Sequence, residues 1–307
     1  MKFAIMGAGG LGAYFGARLA LAGHDVAFIA RGAHLSAMRE HGLRVLSELG
    51  DVHLDPVVAT DDPKTIGPVD GVIFAVKLWD TEAGAEAARP LIGPQTAIVS
   101  FQNGVEKDEV LARVVGREHV LGGVAYIATK VSEPGVVEHT GRLVRAMLGE
   151  LDGSRTERVV SFARVLADSG IDTEVSNDVR KATWEKFVFL TGVAGVTSLV
   201  RSDIGPIREN AESRALLEET MREVVEVGRA AGVNLDANFA EAQLRFCDTL
   251  PAQMRASMAV DLERGRRLEL PWLNGAVTRL GRDLHVETPA NSVITEALAI
   301  YANGVQA

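Results

Sequence analysis

Along the first half of the chain, short apolar runs alternate with stretches in which apolar residues recur every three or four positions. Alternating strand and helix patterns are typical of a parallel β-sheet covered by helices. The apolar runs predict strands at 2–6, 26–30, 69–76, 96–101 and 119–128. The periodic stretches predict a helix that ends near residue 23 and further helices at 81–88 and 105–115.

The segment 136–151 departs from this alternation. Two runs flank Gly141-Arg142, a pattern that predicts a hairpin adding antiparallel strands to the sheet. A predicted helix at 156–169 and a short predicted strand at 171–175 complete this half of the chain.

After Ser176 the strand patterns stop and helical periodicity takes over. Helices are predicted at 178–200, 211–231, 238–250, 254–264, 271–284 and 289–302. The change of pattern at 176–177 predicts two domains, an α/β domain over 1–176 and an all-helical domain over 177–307. A cleft between two such domains is a common place for a small ligand.

Composition narrows the class of protein. The chain has 307 residues, a net charge of −9 and one cysteine, Cys247. An acidic balance disfavours nucleic-acid binding, and a lone cysteine favours a reducing compartment. No apolar run approaches the ~20 residues that cross a bilayer, and the histidines lack metal-ligand spacing. We expect a cytoplasmic protein with no metal, no nucleic-acid partner and no membrane contact; the oligomeric state stays open, a homodimer included.

A glycine-rich segment joins the first predicted strand to the first helix. It reads Gly7-Ala8-Gly9-Gly10-Leu11-Gly12 and fits G-x-G-x-x-G, which in this setting indicates a dinucleotide-binding Rossmann domain. Gly7 permits the tight turn, Gly9 lets a pyrophosphate approach, and Gly12 lets the helix pack on the strand. The helix N-terminus then offers N–H groups to the phosphates. A loop that only turns is the alternative, which the agreement of strand, turn and helix disfavours.

The residue after the second strand indicates whether a Rossmann domain prefers NADH or NADPH. NAD-binding domains usually place Asp or Glu there, to bond the ribose 2′-hydroxyl. This chain has Arg31, while Asp25 precedes the strand. Because a guanidinium suits phosphate geometry, the sequence favours NADPH as the cofactor. An ordinary surface arginine is the alternative interpretation.

Two further polar residues follow predicted strands. Lys77 ends the run 71–76, and Asn103 follows the run 97–102. In doubly wound sheets the ligand lies at the carboxyl ends of the strands, where a lysine or an asparagine can reach it. Asn103-Gly104 is equally well explained as an ordinary turn.

Motifs over nearly the whole chain are similar to those of the ketopantoate reductase family, the 2-dehydropantoate 2-reductases. In order, they are Gly7 to Gly12, Ala30-Arg31-Gly32, Val76-Lys77, Gln102-Asn103-Gly104, Trp184-Glu185-Lys186, Ser257-Met258, Asp261 and Glu269 with Leu273-Asn274-Gly275. Each is weak alone, whereas their order and spacing are specific. The resemblance implies an NADPH-binding Rossmann domain, an all-helical second domain and an active site between them.

The resemblance also implies roles in the reaction. Lys186 matches the family's catalytic lysine, which is the general acid toward the ketone oxygen. Ser257 matches a substrate-binding serine, and Glu269 matches a glutamate near both cofactor and substrate. An ammonium can donate a proton and stabilise a developing alkoxide, which agrees with that role. Without the resemblance, a surface lysine with its stem along the helix is the simpler interpretation of Lys186.

On the cofactor side, the resemblance assigns Arg31 to the adenosine phosphate end and Lys77 to the interior of the cofactor. Asn103 matches a residue that contacts the cofactor beside the substrate. Ala128 matches, in a loosely aligned strand, a backbone position at the nicotinamide amide.

The cofactor motifs favour NADPH, and the resemblance implies that the reaction is reduction of a 2-oxo acid to a 2-hydroxy acid. The leading substrate is 2-dehydropantoate, which gives pantoate for pantothenate biosynthesis. The first alternative is the same chemistry on a more apolar 2-oxo acid. The second is a non-catalytic NADPH-binding sensor, which would need neither Lys186 nor Glu269.

The chain departs from the family where its members carry asparagines toward the substrate. Leu190 and Ala194 occupy two of these positions, and Ile204 a third. Spacings of four place Lys186, Leu190 and Ala194 on one helix face, so we expect the substitutions to line one site. A site built to bond a hydroxyl group loses much when one partner of that bond is absent. We therefore expect weaker activity on 2-dehydropantoate than is usual in the family, and relatively better activity on 2-oxo acids with plainer apolar side chains.

Overall fold

The computed structural model describes residues 1–304 of the chain. These residues form two compact units, the first being Met1–Val179 and the second beginning at Arg180. Within the described part, no helix is long and apolar enough to span a membrane.

The first unit is built on one ten-stranded sheet. Its strands are β1 (Lys2–Met6), β2 (Asp25–Ile29), β3 (Leu43–Ser47), β4 (Val52–Leu54), β5 (Val58–Thr60), β6 (Val69–Phe74), β7 (Ile92–Ser100), β8 (Val120–Glu133), β9 (Val136–Glu150) and β10 (Asp172–Val175). The order across the sheet is β4-β3-β9-β8-β7-β6-β1-β2-β5, and β10 also pairs with β9.

Six of these strands, in the order β5-β2-β1-β6-β7-β8, are parallel to one another. This is the order of a Rossmann domain, with the crossover reversing beside β1. The pairs Met6 with Ile29, Met6 with Phe74, and Phe74 with Ser100 keep the strand ends level. The loops that leave those ends therefore lie side by side along one edge of the sheet.

Helices cover both faces of this sheet. They are α1 (Gly10–Leu21), α2 (Gly32–His41), α3 (Thr81–Ala88), α4 (Lys107–Val115) and α5 (Glu157–Asp168). In β1, Phe3 and Ile5 pack into one core and Ala4 and Met6 into the other, as the two-residue repeat of a strand requires. Burial on both faces explains the nearly continuous apolar runs of the parallel strands.

The predicted hairpin at Gly141-Arg142 is wrong. β9 runs unbroken through these residues, and the chain reverses at Pro134-Gly135, between β8 and β9. The antiparallel addition to the sheet is present, but its two strands are 14 and 15 residues long. Gly141, with φ of +75°, lies in an irregularity where the β8–β9 register shifts. Gly141 therefore adopts its positive φ within a bulge of β9 and not in a turn.

The second unit contains helices joined by loops and, within its described residues, no strand. Its helices are α6 (Val179–Val200), α7 (Ile204–Glu209), α8 (Ala211–Ala230), α9 (Phe239–Thr249), α10 (Ser257–Glu263), α11 (Asn274–Asp283) and α12 (Pro289–Leu298). The α/β unit followed by an all-helical region confirms the predicted fold class. The short α7 has no counterpart among the predicted helices. Pro271 lies in a short 3₁₀ helix, Leu270–Trp272, so α11 begins three residues later than predicted.

A buried carboxylate organises the core of the helical unit. Glu223 of α8 accepts hydrogen bonds from the backbone N–H groups of Ala290 at 2.7 Å and Asn291 at 2.9 Å. It also accepts one from the side chain of Asn291 at 2.7 Å. The carboxylate thus caps the first turn of α12 and satisfies donors that the helix leaves open.

Candidate functional site

At the carboxyl ends of the parallel strands, backbone hydrogen bonds join each loop to the next loop across the sheet. The carbonyl of Ile29, at the end of β2, accepts the N–H groups of Gly7 at 3.2 Å and Ala8 at 2.9 Å. The Ala75 N–H, just after β6, donates to the Met6 carbonyl at 2.8 Å. Further along, the Phe101 N–H donates to the Phe74 carbonyl at 3.1 Å. Four consecutive loops thus form one continuous rim.

Three glycines of the first loop, Gly7, Gly9 and Gly12, differ in the space around them. Gly7 has φ of +97°, and a Cβ there would lie 2.7 Å from the Val76 nitrogen. At Gly12 a Cβ would collide with the Gly7 carbonyl oxygen. At Gly9, by contrast, a Cβ would meet no atom within 4 Å. Gly7 and Gly12 are therefore required by packing, whereas Gly9 leaves the outer surface of the turn open.

The open surface at Gly9 fits the pyrophosphate of a dinucleotide. Gly9 is the N-cap residue of α1 and has no side chain that could accept a hydrogen bond from the first turn. The first turn contains no acidic residue that would repel an anion. Helix N–H groups and the positive end of the helix dipole can then face the phosphates, which the missing Cβ lets approach closely.

Arg31 lies at the β2 end of the same rim. It is exposed, and it is the N-cap residue of α2. Asp25 begins β2 and so lies at the opposite end of that strand. The position that carries a carboxylate in NAD-binding domains is therefore cationic here.

Lys77 and Asn103 follow β6 and β7, the next strands along the rim. Lys77 is exposed, and its ammonium lies 5.5 Å from the centre of the Trp79 ring. Asn103 is partly buried and precedes Gly104, which has φ of +84°. The structure thus brings both residues to the edge that carries the glycine turn.

Gln102 is a rim residue whose role the sequence did not predict. It is 8% exposed, and its side-chain amide donates to the Val76 carbonyl and to the Thr81 hydroxyl, both at 2.9 Å. Its side-chain oxygen accepts from the Ser100 hydroxyl at 3.0 Å. Gln102 therefore fixes the Lys77 loop against the Asn103 loop. Only its position between an apolar run and Asn103 could have indicated this.

Lys107 is a second residue that the sequence did not reveal. It is 3% exposed, and its ammonium donates to the carbonyls of Ser100 and Gly123, both at 3.0 Å. It also pairs with Asp108 at 2.8 Å. Burial raises the pKa of Asp108, and the neighbouring ammonium opposes that shift. These bonds hold the carboxyl end of β7 to β8 beside Asn103.

Ala128 lies at the shift of register between β8 and β9. Ile127 pairs with Val144 and Thr129 with His139, which leaves Ala128 outside the regular ladder. Its side chain is exposed. The next residues of β8 touch the glycine turn, since a Cβ at Gly10 would lie 3.0 Å from the Lys130 nitrogen. Bulges of this kind often occur beside active sites.

His34 is a third residue without a predicted role. Its Nδ1 accepts the Gly135 N–H at 3.0 Å, which joins α2 to the β8–β9 turn. Burial lowers the pKa of His34, and the nearby backbone of Ala8 in the glycine turn opposes that shift. The ring thus ties α2 to the turn between the two long strands.

In the second unit, Lys186 lies two turns into α6. Trp184, Phe187 and Val188 are buried, and the rings of Trp184 and Phe187 meet edge to face at 5.7 Å between centroids. These residues anchor one side of the helix, so Lys186, which is partly exposed, lies on the other. Ser257 is exposed as the first residue of α10, and Glu269 is partly buried, just before the 3₁₀ helix Leu270–Trp272.

The expectation that all three apolar substitutions line one site is wrong. Ala194 is 1% exposed and Ile204 is fully buried, so neither can meet a ligand without repacking. Every residue from 191 to 198 is buried, because the second half of α6 is surrounded by other helices. Thr197 donates its hydroxyl to the Val193 carbonyl and so does not replace a lost asparagine. Of the three substituted positions, Leu190 alone is partly exposed.

Cys247 is fully buried in α9, where burial raises the pKa of its thiol to about 12. Such a thiol is unreactive at neutral pH. Among the described residues, no group of three or more His, Cys, Asp or Glu side chains could hold a metal ion.

Both units match models of one protein family. Residues 3–153 match the model described as ketopantoate reductase PanE/ApbA, and residues 178–302 match its C-terminal model. A 2-dehydropantoate 2-reductase of Archaeoglobus fulgidus is 34% identical over 303 residues, covering 98% of each chain. An uncharacterized oxidoreductase of Bacillus subtilis, YkpB, is 30% identical over 301 residues, covering 98% of this chain and 99% of that one.

Solved structures agree with these matches. A PanE/ApbA family ketopantoate reductase from Ralstonia eutropha has a TM-score of 0.90 at 34% identity, with 98% of each chain covered. A 2-dehydropantoate 2-reductase from Geobacter metallireducens has a TM-score of 0.91 at 32% identity, with 98% of this chain and 99% of that one covered. A D-mandelate dehydrogenase, with a TM-score of 0.89 at 22% identity, shares the fold.

Proposed function

Because the chain belongs to the ketopantoate reductase family of oxidoreductases, we propose that it reduces a 2-oxo acid to a 2-hydroxy acid with NADPH. The observation that carries this proposal is the glycine turn, whose open surface at Gly9 lies on the same rim as Arg31. A pyrophosphate fits the first feature, and a 2′-phosphate fits the second.

The reaction adds one hydride to the ketone carbon and one proton to its oxygen. Bound NADPH would supply the hydride. In this proposal the Lys186 ammonium donates a hydrogen bond to the ketone oxygen, stabilises the negative charge that develops there and then transfers the proton. Glu269 holds the substrate and the cofactor near that ammonium, and Ser257 bonds the substrate.

On the cofactor side, Arg31 pairs with the 2′-phosphate and the N–H groups at the start of α1 receive the pyrophosphate. Lys77 and Asn103 contact the cofactor from the neighbouring loops, and the backbone at Ala128 bonds the nicotinamide amide. Gln102 keeps the two middle loops in register, because its amide bridges them.

Two substrate classes follow from different observations. The names of several relatives favour 2-dehydropantoate. Leu190, one helical turn after Lys186 and partly exposed, favours a 2-oxo acid whose side chain is apolar. A leucine offers no hydrogen bond to the hydroxyl group of 2-dehydropantoate, so that group would lose its contact with water without a replacement.

The proposed function is tested with a panel of 2-oxo acids and NADPH, following the loss of NADPH absorbance. The panel contains 2-dehydropantoate, pyruvate, 2-oxoisovalerate and 4-methyl-2-oxopentanoate. We expect saturable turnover with at least one of these acids, and slower turnover when NADH replaces NADPH. An absence of turnover with every acid, together with tight NADPH binding, would support the non-catalytic sensor instead.

Replacing Leu190 with Asn tests the origin of the substrate preference. We expect the ratio of kcat/KM for 2-dehydropantoate to that for 4-methyl-2-oxopentanoate to rise by roughly 10- to 100-fold, because a buried hydroxyl gains a partner and an apolar contact is lost. Kinetics with both acids measure the ratio. The conservative variant Leu190→Met, which adds no polar group, should leave the ratio within about threefold. An unchanged ratio in Leu190→Asn would show that this residue does not touch the substrate.

A further inference from the structure

An aromatic residue of α9 is exposed next to the helix that carries Lys186. Phe246 is 48% exposed, although phenylalanine normally lies in the core. The buried face of α9 consists of Ala240, Leu244 and Cys247. Phe246 stands off that face, so the amphipathic pattern of the helix does not account for it.

Phe246 does have one aromatic neighbour. Its ring meets the ring of Phe189 at 5.4 Å between centroids and 66° between planes, an edge-to-face arrangement. Phe189 is three residues after Lys186 and therefore lies one helical turn along from it. Leu190, four residues after Lys186, lies beside Phe189 on the same turn. The apolar wall formed by Phe189, Leu190 and Phe246 thus begins about one helix pitch, or about 5.4 Å, from the lysine.

The end of α9 that carries Phe246 is held firmly. The Arg208 guanidinium donates to the carbonyls of Cys247 at 3.0 Å, Asp248 at 3.1 Å and Leu250 at 2.7 Å. Arg214 also pairs with the Asp248 carboxylate through two bonds of 2.6 and 2.9 Å. Both arginines therefore hold the last turn of α9, and with it the backbone that carries Phe246. Phe246 and Phe189 are therefore adjacent apolar side chains, and a contiguous exposed apolar patch is typical of a surface that binds an apolar group.

We propose, on the basis of the function proposed above, that this wall binds the side chain of the substrate and selects 2-oxo acids with an aryl or bulky apolar substituent. The carbonyl oxygen lies at Lys186, and a ring one methylene away from the ketone extends along α6 to Phe189. Phe246 then contacts the ring at its edge or face, as aromatic pairs prefer. Pyruvate, which has only a methyl group, cannot reach the wall.

The test compares phenylpyruvate with pyruvate in the full-length protein and in Phe246→Ala, Phe246→Tyr and Phe189→Leu. In the unmodified protein we expect kcat/KM for phenylpyruvate to exceed that for pyruvate by roughly 10- to 200-fold. Phe246→Ala should lower the value for phenylpyruvate by about tenfold and that for pyruvate by less than twofold. Phe246→Tyr, which keeps the ring, should restore most of the lost activity, and Phe189→Leu should resemble Phe246→Ala.

Val293→Ala, which truncates a 57% exposed side chain of α12, is the matched control and should change neither acid. Melting curves of each variant establish that the helical unit remains folded. Pyruvate turnover without any aryl preference, or an equal effect of Phe246→Ala on both acids, would overturn this inference and leave the reductase function intact. Turnover of neither acid, nor of any acid in the earlier panel, would overturn the reductase function itself.

Discussion

Replacing Lys186 with Ala is expected to lower kcat for the best 2-oxo acid by roughly 10²- to 10⁴-fold, the usual cost of losing a general acid. The ammonium acts on the ketone oxygen, whereas the phosphates of the cofactor lie at the glycine turn and Arg31. The dissociation constant of NADPH should therefore stay within about threefold of the unmodified value. Steady-state kinetics give the first quantity, and quenching of tryptophan fluorescence by NADPH gives the second.

Two further variants make the Lys186 experiment specific. Lys186→Arg keeps the positive charge, but a guanidinium remains protonated at neutral pH and rarely gives up its proton, so turnover should stay low. Lys181→Ala removes another lysine of the same helix, one whose ammonium lies 3.8 Å from Glu185, and should leave kcat nearly unchanged. Near-normal turnover of Lys186→Ala would show that another group supplies the proton.

Replacing Arg31 with Ala is expected to reduce the preference for NADPH over NADH. A guanidinium paired with a phosphate makes charge-assisted hydrogen bonds worth a few kcal/mol at most, so kcat/KM for NADPH should fall by about 10- to several-hundredfold. NADH lacks the 2′-phosphate, so its kcat/KM should hardly change. Initial rates with both cofactors, at saturating 2-oxo acid, measure the ratio.

The salt dependence of the Arg31 effect provides an independent check. Arg31 is exposed, so added salt should screen its attraction for the 2′-phosphate and weaken NADPH binding more than NADH binding. Arg113→Ala, an exposed arginine of α4, is the matched control and should alter neither cofactor. Equal use of NADPH and NADH by the unmodified protein would contradict the role assigned to Arg31.

Elements with a strong local pattern could be read from the sequence. The prediction of β1 at 2–6 and of α3 at 81–88 matches the structure to the residue. A short apolar run that ends at a glycine turn and a run of helix-favouring residues are strong local signals. The region 32–60, by contrast, holds α2 and three short strands that were not predicted. β4 and β5 have only three residues each, too few to show a period. β3 and β5 also depend on pairing with β9 and β2, which are distant in the chain.

The residues of the candidate site were likewise predicted only in part. The order of glycines, Arg31, Lys77 and Asn103 indicated a rim of strand ends, since parallel strands with helical crossovers bring their carboxyl ends to one edge. The roles of Gln102, Lys107 and His34 were not predicted. Each acts through partners that come together only in the folded chain, such as Ser100 and Gly123 around the Lys107 ammonium.

The sequence by itself determined the family, the α/β-then-helical order and the cofactor turn, because these depend on local period and on backbone freedom at particular glycines. Tertiary structure alone decided which side chains a ligand can meet. Helix spacing put Leu190 and Ala194 on one face with Lys186, but the packing of neighbouring helices buries Ala194 and leaves Leu190 partly exposed. The same packing brings Phe246, 57 positions further along the chain, against Phe189. Burial and long-range contact depend on the whole fold, and no local period encodes them.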